Sequence, residues 1–134
     1  MESVAPDWFG IYRKTVNQNG EPVLIKEAYA GAFSRAEFPL NEKFAAQSNN
    51  SMVGLTGKVR YFADLSSYDG HYYECDNKVQ SEYCGPILDP RGNVIGIIDA
   101  ESFQKNFFRA EKILQLTKVC RDLGEVNLGM ETPR

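Results

Sequence analysis

Asp99 and Glu101 close the most apolar run of the chain, Val94-Ile95-Gly96-Ile97-Ile98, and carboxylates in that position call for a chemical explanation. Two apart on an extended chain, they face the same side. Glu82 and Cys84 repeat the arrangement in a second β-favouring stretch, and Trp8 and Tyr12 share a face of a third, with Gly10 between them. For any single pair a solvated outer face is explanation enough. Asp99 resists it, because the strand that carries it is otherwise apolar. If the three pairs line one concavity, it has aromatic walls and several carboxylates. Such a site suits a small ligand with an ammonium group and an apolar tail: carboxylates attract the cation and ring faces cover the rest.

The thiols are the second source of chemistry. Cys75 stands among Asp69-Gly70-His71-Tyr72-Tyr73-Glu74 and Asp76 in a long polar stretch. It is either an incidental surface thiol or a nucleophile, since loops carry chemistry and the thiolate is the reactive form. The neighbouring carboxylates would raise its pKa, so His71 or a helix N-terminus would have to compensate. Cys120 falls late in a helical stretch beside Val119 and reads as a buried core residue. Lys112, Lys118 and Arg121 read as the solvated face of that helix. With 3 cysteines, 1 histidine and no Cys-x-x-Cys pair, neither a zinc site nor a secreted disulfide framework is expected, and no metal site is assigned. A reducing compartment fits this cysteine usage.

The elements that must hold these residues are legible as follows. Trp8 to Tyr12 is a first strand, Asn17-Gln18-Asn19-Gly20 a turn, and Val23 to Tyr29 the returning strand of a hairpin. Gly31 to Leu40 reads as a third strand ending near Pro39, and Asn41 to Asn50 as a loop or poorly defined helix. Ser51 can cap a short helix ended by Gly57. Lys58 to Phe62 is a strand, Asp64 to Gln80 a long loop, and Glu82 to Leu88 a strand. The turn Asp89-Pro90-Arg91-Gly92-Asn93 leads to the strand Val94 to Glu101. From Ser102 a helix is expected to run to Leu123 and stop at Gly124, with Phe103, Phe107, Ala110 and Leu114 as its apolar stripe. The fold class is α+β: a central antiparallel sheet of five or six strands with a long C-terminal helix packed on one face.

The chain has 134 residues, 43% of them hydrophobic and 25% charged, which predicts one globular domain spanning 1–134 with a sizeable core. A net charge of -3 gives no basic footprint for nucleic acid. The longest apolar run falls far short of the roughly 20 residues of a membrane span. The opening Met1-Glu2-Ser3-Val4-Ala5-Pro6-Asp7 is acidic and lacks the apolar core of a secretory signal, so a cytoplasmic location is expected.

Four segments in register carry a family resemblance: Trp8-Phe9-Gly10-Ile11-Tyr12, Gly70-His71 followed by Cys75-Asp76, Ser81-Glu82 with Pro86, and Gly96-Ile97-Ile98-Asp99-Ala100-Glu101-Ser102. Together they resemble the free methionine-(R)-sulfoxide reductases, from about Trp8 to Leu123. The resemblance implies a GAF-type fold with no organic cofactor, and reduction of free L-methionine (R)-S-oxide. It makes Cys75 the cysteine that attacks the sulfoxide sulfur and thioredoxin the reductant, and it allows a homodimer. It places Trp8 and Tyr12 around the substrate methyl group, with Glu82, Asp99 and Glu101 on the amino group and the departing oxygen. Two further cysteines usual in the family are absent, and Arg35 and roughly Ala45 stand where they would fall. Cys84 is then the candidate outside the terminal helix for resolving a sulfenic acid on Cys75, if it is not simply a small core residue. The rival reading is a non-catalytic GAF-type module that binds or senses a small ligand.

Overall fold

A computed structural model describes residues 5–67 and 78–126 of the chain. Strands β1 (Trp8–Val16) and β2 (Pro22–Ala30) form the first hairpin, and the short β3 (Glu37–Pro39) pairs with β2. Helices α1 (Glu42–Ala45) and α2 (Asn49–Thr56) follow, then β4 (Arg60–Phe62), β5 (Ser81–Leu88), β6 (Val94–Ser102) and α3 (Ala110–Glu125). All six strands join one antiparallel sheet in the order β3-β2-β1-β6-β5-β4. The first and last strands are thus neighbours at its centre.

Local chemistry sets the two hairpins. Asn17 Oδ1 accepts from the backbone N–H groups of Asn19 and Glu21, and Gly20 takes the φ of 78° that closes the turn. Asp89 Oδ1 accepts in the same way from Arg91 and Asn93. Between β5 and β6 the register skips one residue: Ile87 pairs with Gly96 and Leu88 with Val94, leaving Ile95 as a bulge. A bulge re-aims every side chain beyond it. Ile95 therefore packs on one face with Ile98 and Ala100, while Ile97, Asp99 and Glu101 turn to the other.

Each face has its own cover. α3 lies over Tyr83, Ile87, Ile98 and Ala100, and Phe107 and Phe108 complete that cluster. On the opposite face Trp8, Tyr12, Leu24, Phe38, Val53 and Cys84 form the second cluster, beneath α2. Among the described residues no helix is long and apolar enough to cross a membrane.

Several expected boundaries move. The third strand shrinks to Glu37–Pro39, because residues 31–36 leave the sheet as a loop over the site. The helix expected from Ser51 starts at Asn49 and is capped by Ser48, whose side chain accepts from the Ser51 N–H; Gly57 ends it as expected. The largest correction concerns the C-terminal helix. Ser102 is the last residue of β6, and α3 begins only at Ala110, so Phe103 and Phe107 are not on the helix. Leu114 is 69% exposed; the helix buries Cys120 and Gly124 instead. Gly124 lies inside α3 because a Cβ there would stand 1.9 Å from the Leu88 carbonyl oxygen. Its role is close packing on β5, where the sequence suggests a helix stop.

Candidate ligand-binding site

Strand register brings the three predicted pairs together. Trp8 is opposite Glu101, which is opposite Glu82; one step along, Gly10 is opposite Asp99, which is opposite Cys84. Rows two residues apart on three neighbouring strands point to the same face. Carboxylate oxygens of Glu82, Asp99 and Glu101 accordingly lie within 4.8 Å of one another.

This cluster is deeply placed. Asp99 is only 3% exposed, and its Oδ1 is buried without a hydrogen-bond partner. Burial holds its pKa well above 3.8, and the carboxylates of Glu101 and Glu82, with a hydrogen bond to Glu82, push it further in the same direction. Both causes favour the protonated form of Asp99. Glu82 is anchored from outside the sheet: Asn49 Nδ2, in the first turn of α2, donates to Glu82 Oε1 at 2.8 Å.

Aromatic side chains build the walls. The Trp8 indole lies across Gly10, where a Cβ would come within 2.2 Å of the ring. Its Nε1–H donates to the Ala32 carbonyl at 2.8 Å, and Tyr29 stacks on it with centroids 6.2 Å apart. Tyr12 packs edge-on against Phe38 at 5.5 Å, and its hydroxyl donates to the Arg35 carbonyl at 3.4 Å. The loop 31–36 is thus fastened to β1 by both aromatic side chains. At the open end, Asp7 Oδ2 accepts from the Phe103 N–H at 2.7 Å and ties the start of β1 to the end of β6. Trp8, Tyr12, Phe38, Asp99, Glu101 and Phe103 are among the residues that line the resulting cavity of about 70 Å³. That is several times the roughly 10–15 Å³ needed for one water, enough for a small headgroup.

Three carboxylate oxygens can surround an ammonium nitrogen. Acceptors about 2.8 Å from one nitrogen in tetrahedral directions stand roughly 4.6 Å apart, a spacing the cluster can meet. The same three carboxylates could share a hard, oxygen-preferring cation, and among the described residues no softer donor joins them in the group.

Cys84 lies in the floor beside the carboxylates. It is 0% exposed, and its S–H donates to Asn50 Oδ1 at 3.4 Å. Burial, followed by the nearby Glu82 charge, pushes its thiol pKa well above 9.0. The resolving role expected of Cys84 needs a thiolate that can reach its target, and this thiol is protonated and enclosed. Cys120, on the α3 face, is buried as expected and raised to about 12. Cys75 and His71 lie outside the described residues. Of the predicted site residues, Trp8, Tyr12, Glu82, Cys84, Asp99 and Glu101 all converge on one face. Asn49, Asn50 and Asp7 were not singled out from the sequence. The cap signature Ser48-Asn49-Asn50 was the available signal for the first two.

No protein-family model matches the chain, and no curated protein matches it. Solved structures do. A GAF domain superimposes with a TM-score of 0.72 at 21% identity, covering 90% of this chain and 64% of that one. The fold is that of a GAF domain. A type II free methionine-R-sulfoxide reductase from Thermoplasma acidophilum shares this GAF fold with a TM-score of 0.74 and 25% identity, over 89% of this chain and 77% of that one. A free methionine-R-sulfoxide reductase from Neisseria meningitidis, solved in complex with its substrate, matches with a TM-score of 0.67 and 21% identity, over 91% and 69% of the two chains. The GAF fold and its reductase neighbours agree with the resemblance seen in the sequence.

Proposed function

We propose that this GAF-fold chain binds a small molecule through a cationic amine and reduces free L-methionine (R)-S-oxide. The observation that carries the reading is the register-matched convergence of Glu82, Asp99 and Glu101 beneath Trp8 and Tyr12. The carboxylates hold the ammonium group, and the aromatic pair covers the methylsulfinyl end. Cys75 is the nucleophile. Its thiolate attacks the sulfoxide sulfur, the oxygen passes to the cysteine as a sulfenic acid, and methionine leaves with the electron pair on sulfur. Protonated Asp99, with Glu101, supplies the proton the oxygen requires. A thiol then condenses with the sulfenic acid, releasing water, and the disulfide is reduced by thioredoxin or a similar dithiol. The burial of Cys84 favours an external thiol for that step. A coupled assay with free methionine-(R)-sulfoxide and a thioredoxin system tests the reading: turnover of the free R epimer is expected, and silence toward R, S and peptide-bound sulfoxides would overturn it.

A second reading, a non-catalytic ligand-binding GAF module, is favoured by the enclosed Cys84 and by Arg35 and Ala45 where the reductases carry cysteines. Arg35 stacks on Phe44 at 4.9 Å and Ala45 is buried, so both serve the fold. Stoichiometric ligand binding without turnover, unchanged in Cys75→Ser, would select this reading.

A further inference from the structure

The start of α2 is a run of four buried polar residues, Ser48, Asn49, Asn50 and Ser51, set over an otherwise apolar cluster. Buried polar side chains cost stability unless they are bonded, and asparagine is a poor helix former. The two serines serve the fold. Ser48 caps the helix, and Ser51 Oγ donates to the Pro39 carbonyl at 2.8 Å, which ties α2 to β3. The two asparagines reach the face of β5 that belongs to the site. Asn49 Nδ2 donates to Glu82 Oε1 at 2.8 Å, and Asn50 Oδ1 accepts from Cys84 Sγ at 3.4 Å. Consecutive residues of the helix thus engage residues two apart on the strand.

Glu82 needs an anchor more than Asp99 does. A glutamate has one torsion more than an aspartate and loses more rotamer freedom when it is held. It also stands beside two other carboxylates, and like charges favour conformations that separate them. A donor from outside the sheet opposes both tendencies, because a charge-assisted N–H···O bond fixes the carboxylate in place. Glu82 is held between Asn49 on α2 and Asp99, its hydrogen-bond partner on β6. A group already in its binding geometry avoids the cost of being ordered when the ligand arrives.

We propose that Asn49 is a positioning residue: its side-chain amide holds Glu82 in the geometry in which the three carboxylates meet the ligand ammonium. The proposal rests on the reading of Glu82, Asp99 and Glu101 as the ammonium-binding group.

Calorimetric titration with L-methionine sulfoxide tests it in a double-mutant cycle of Asn49→Ala and Glu82→Ala, with urea unfolding of each variant. In the wild-type background Asn49→Ala should weaken binding per folded molecule on the order of tenfold. In the Glu82→Ala background it should matter by less than about twofold, since the residue it positions is gone. Ser51→Ala, which removes the bond from α2 to β3, should lower the urea midpoint and leave affinity unchanged. An equal loss from Asn49→Ala in both backgrounds, the same loss from Ser51→Ala, or unchanged affinity in Asn49→Ala would overturn the proposal. NMR supplies a readout without ligand: an Asn49 Nδ2 proton should resonate downfield of ordinary side-chain amides and return to their range in Glu82→Ala. An ordinary shift in a wild-type chain that binds methionine sulfoxide would overturn the positioning role and leave the ammonium reading standing. A downfield proton in a folded chain that binds none would overturn the ammonium reading, and the proposal with it.

Discussion

On the α3 face, Ile98 and Ala100 are buried among Tyr83, Ile87, Phe107 and Phe108, every one of them apolar or carrying its polar atom to the edge. One residue along in the same strand, Asp99 is buried to the same degree, yet it faces two other carboxylates and leaves an oxygen without a partner. The two faces thus differ: one is packed by apolar side chains alone, and on the other a carboxylate cluster, the group we propose to bind a ligand, interrupts the apolar core. Burying apolar side chains contributes roughly 1.5–3 kcal/mol each. Burying a carboxyl beside like charges costs stability, which makes the cluster a candidate for function.

The comparison breaks first if the polar face is inert. Cys75→Ser should lower reduction of free methionine-(R)-sulfoxide by about a thousandfold or more, since a hydroxyl is a far weaker nucleophile toward sulfur. Ligand titration of the same variant should be unchanged, and retained turnover would move the chemistry elsewhere. The α3 face should respond in the opposite way. Ile98→Ala, at a fully buried site, should cost about 2–5 kcal/mol in urea unfolding while leaving ligand affinity per folded molecule intact. A comparable loss of affinity would show that the faces are not separable.

Asp99 sharpens the contrast. Asp99→Ala should weaken binding of the ammonium ligand by roughly 1.5–3 kcal/mol, the worth of one charge-assisted bond. Its titration gives a second measure. The folded chain holds the Asp99 proton at pH values above the 3.8 of the unfolded chain, so between these limits the native state binds more protons. The stability from this group is complete below 3.8 and is lost as pH rises through the folded value. Urea midpoints measured from pH 4 to 8 should therefore fall more steeply with pH in the wild type than in Asp99→Asn; parallel curves would contradict the burial. The smallest effect belongs outside both faces. Lys118 and Asp122 form an exposed i, i+4 pair on α3, and Lys118→Ala should change stability by about 0.5 kcal/mol or less, with no change in ligand binding.

Much of the site was legible because the side-chain period of a strand is local. Alternation alone put Trp8 with Tyr12, Glu82 with Cys84 and Asp99 with Glu101, and turn chemistry at Asn17–Gly20 and Asp89–Asn93 placed both hairpins. The C-terminal helix misled for an equally local reason. Phe103, Phe107, Ala110 and Leu114 carry helical spacing, but Phe107 and Phe108 are drawn into the core by a segment that has not yet begun the helix.

Only the tertiary structure could decide which pairs meet. That β1 lies beside β6, setting Trp8 against Glu101 and Gly10 against Asp99, depends on a contact between residues some ninety positions apart. The one-residue bulge at Ile95 decides which side Asp99 faces, and the first turn of α2 decides that Asn49 reaches Glu82. None of these follows from composition or periodicity. A local pattern fixes the side a residue takes on its own strand, whereas register and burial are settled by the packing of distant segments, where a slip of one residue would turn every carboxylate into the apolar core.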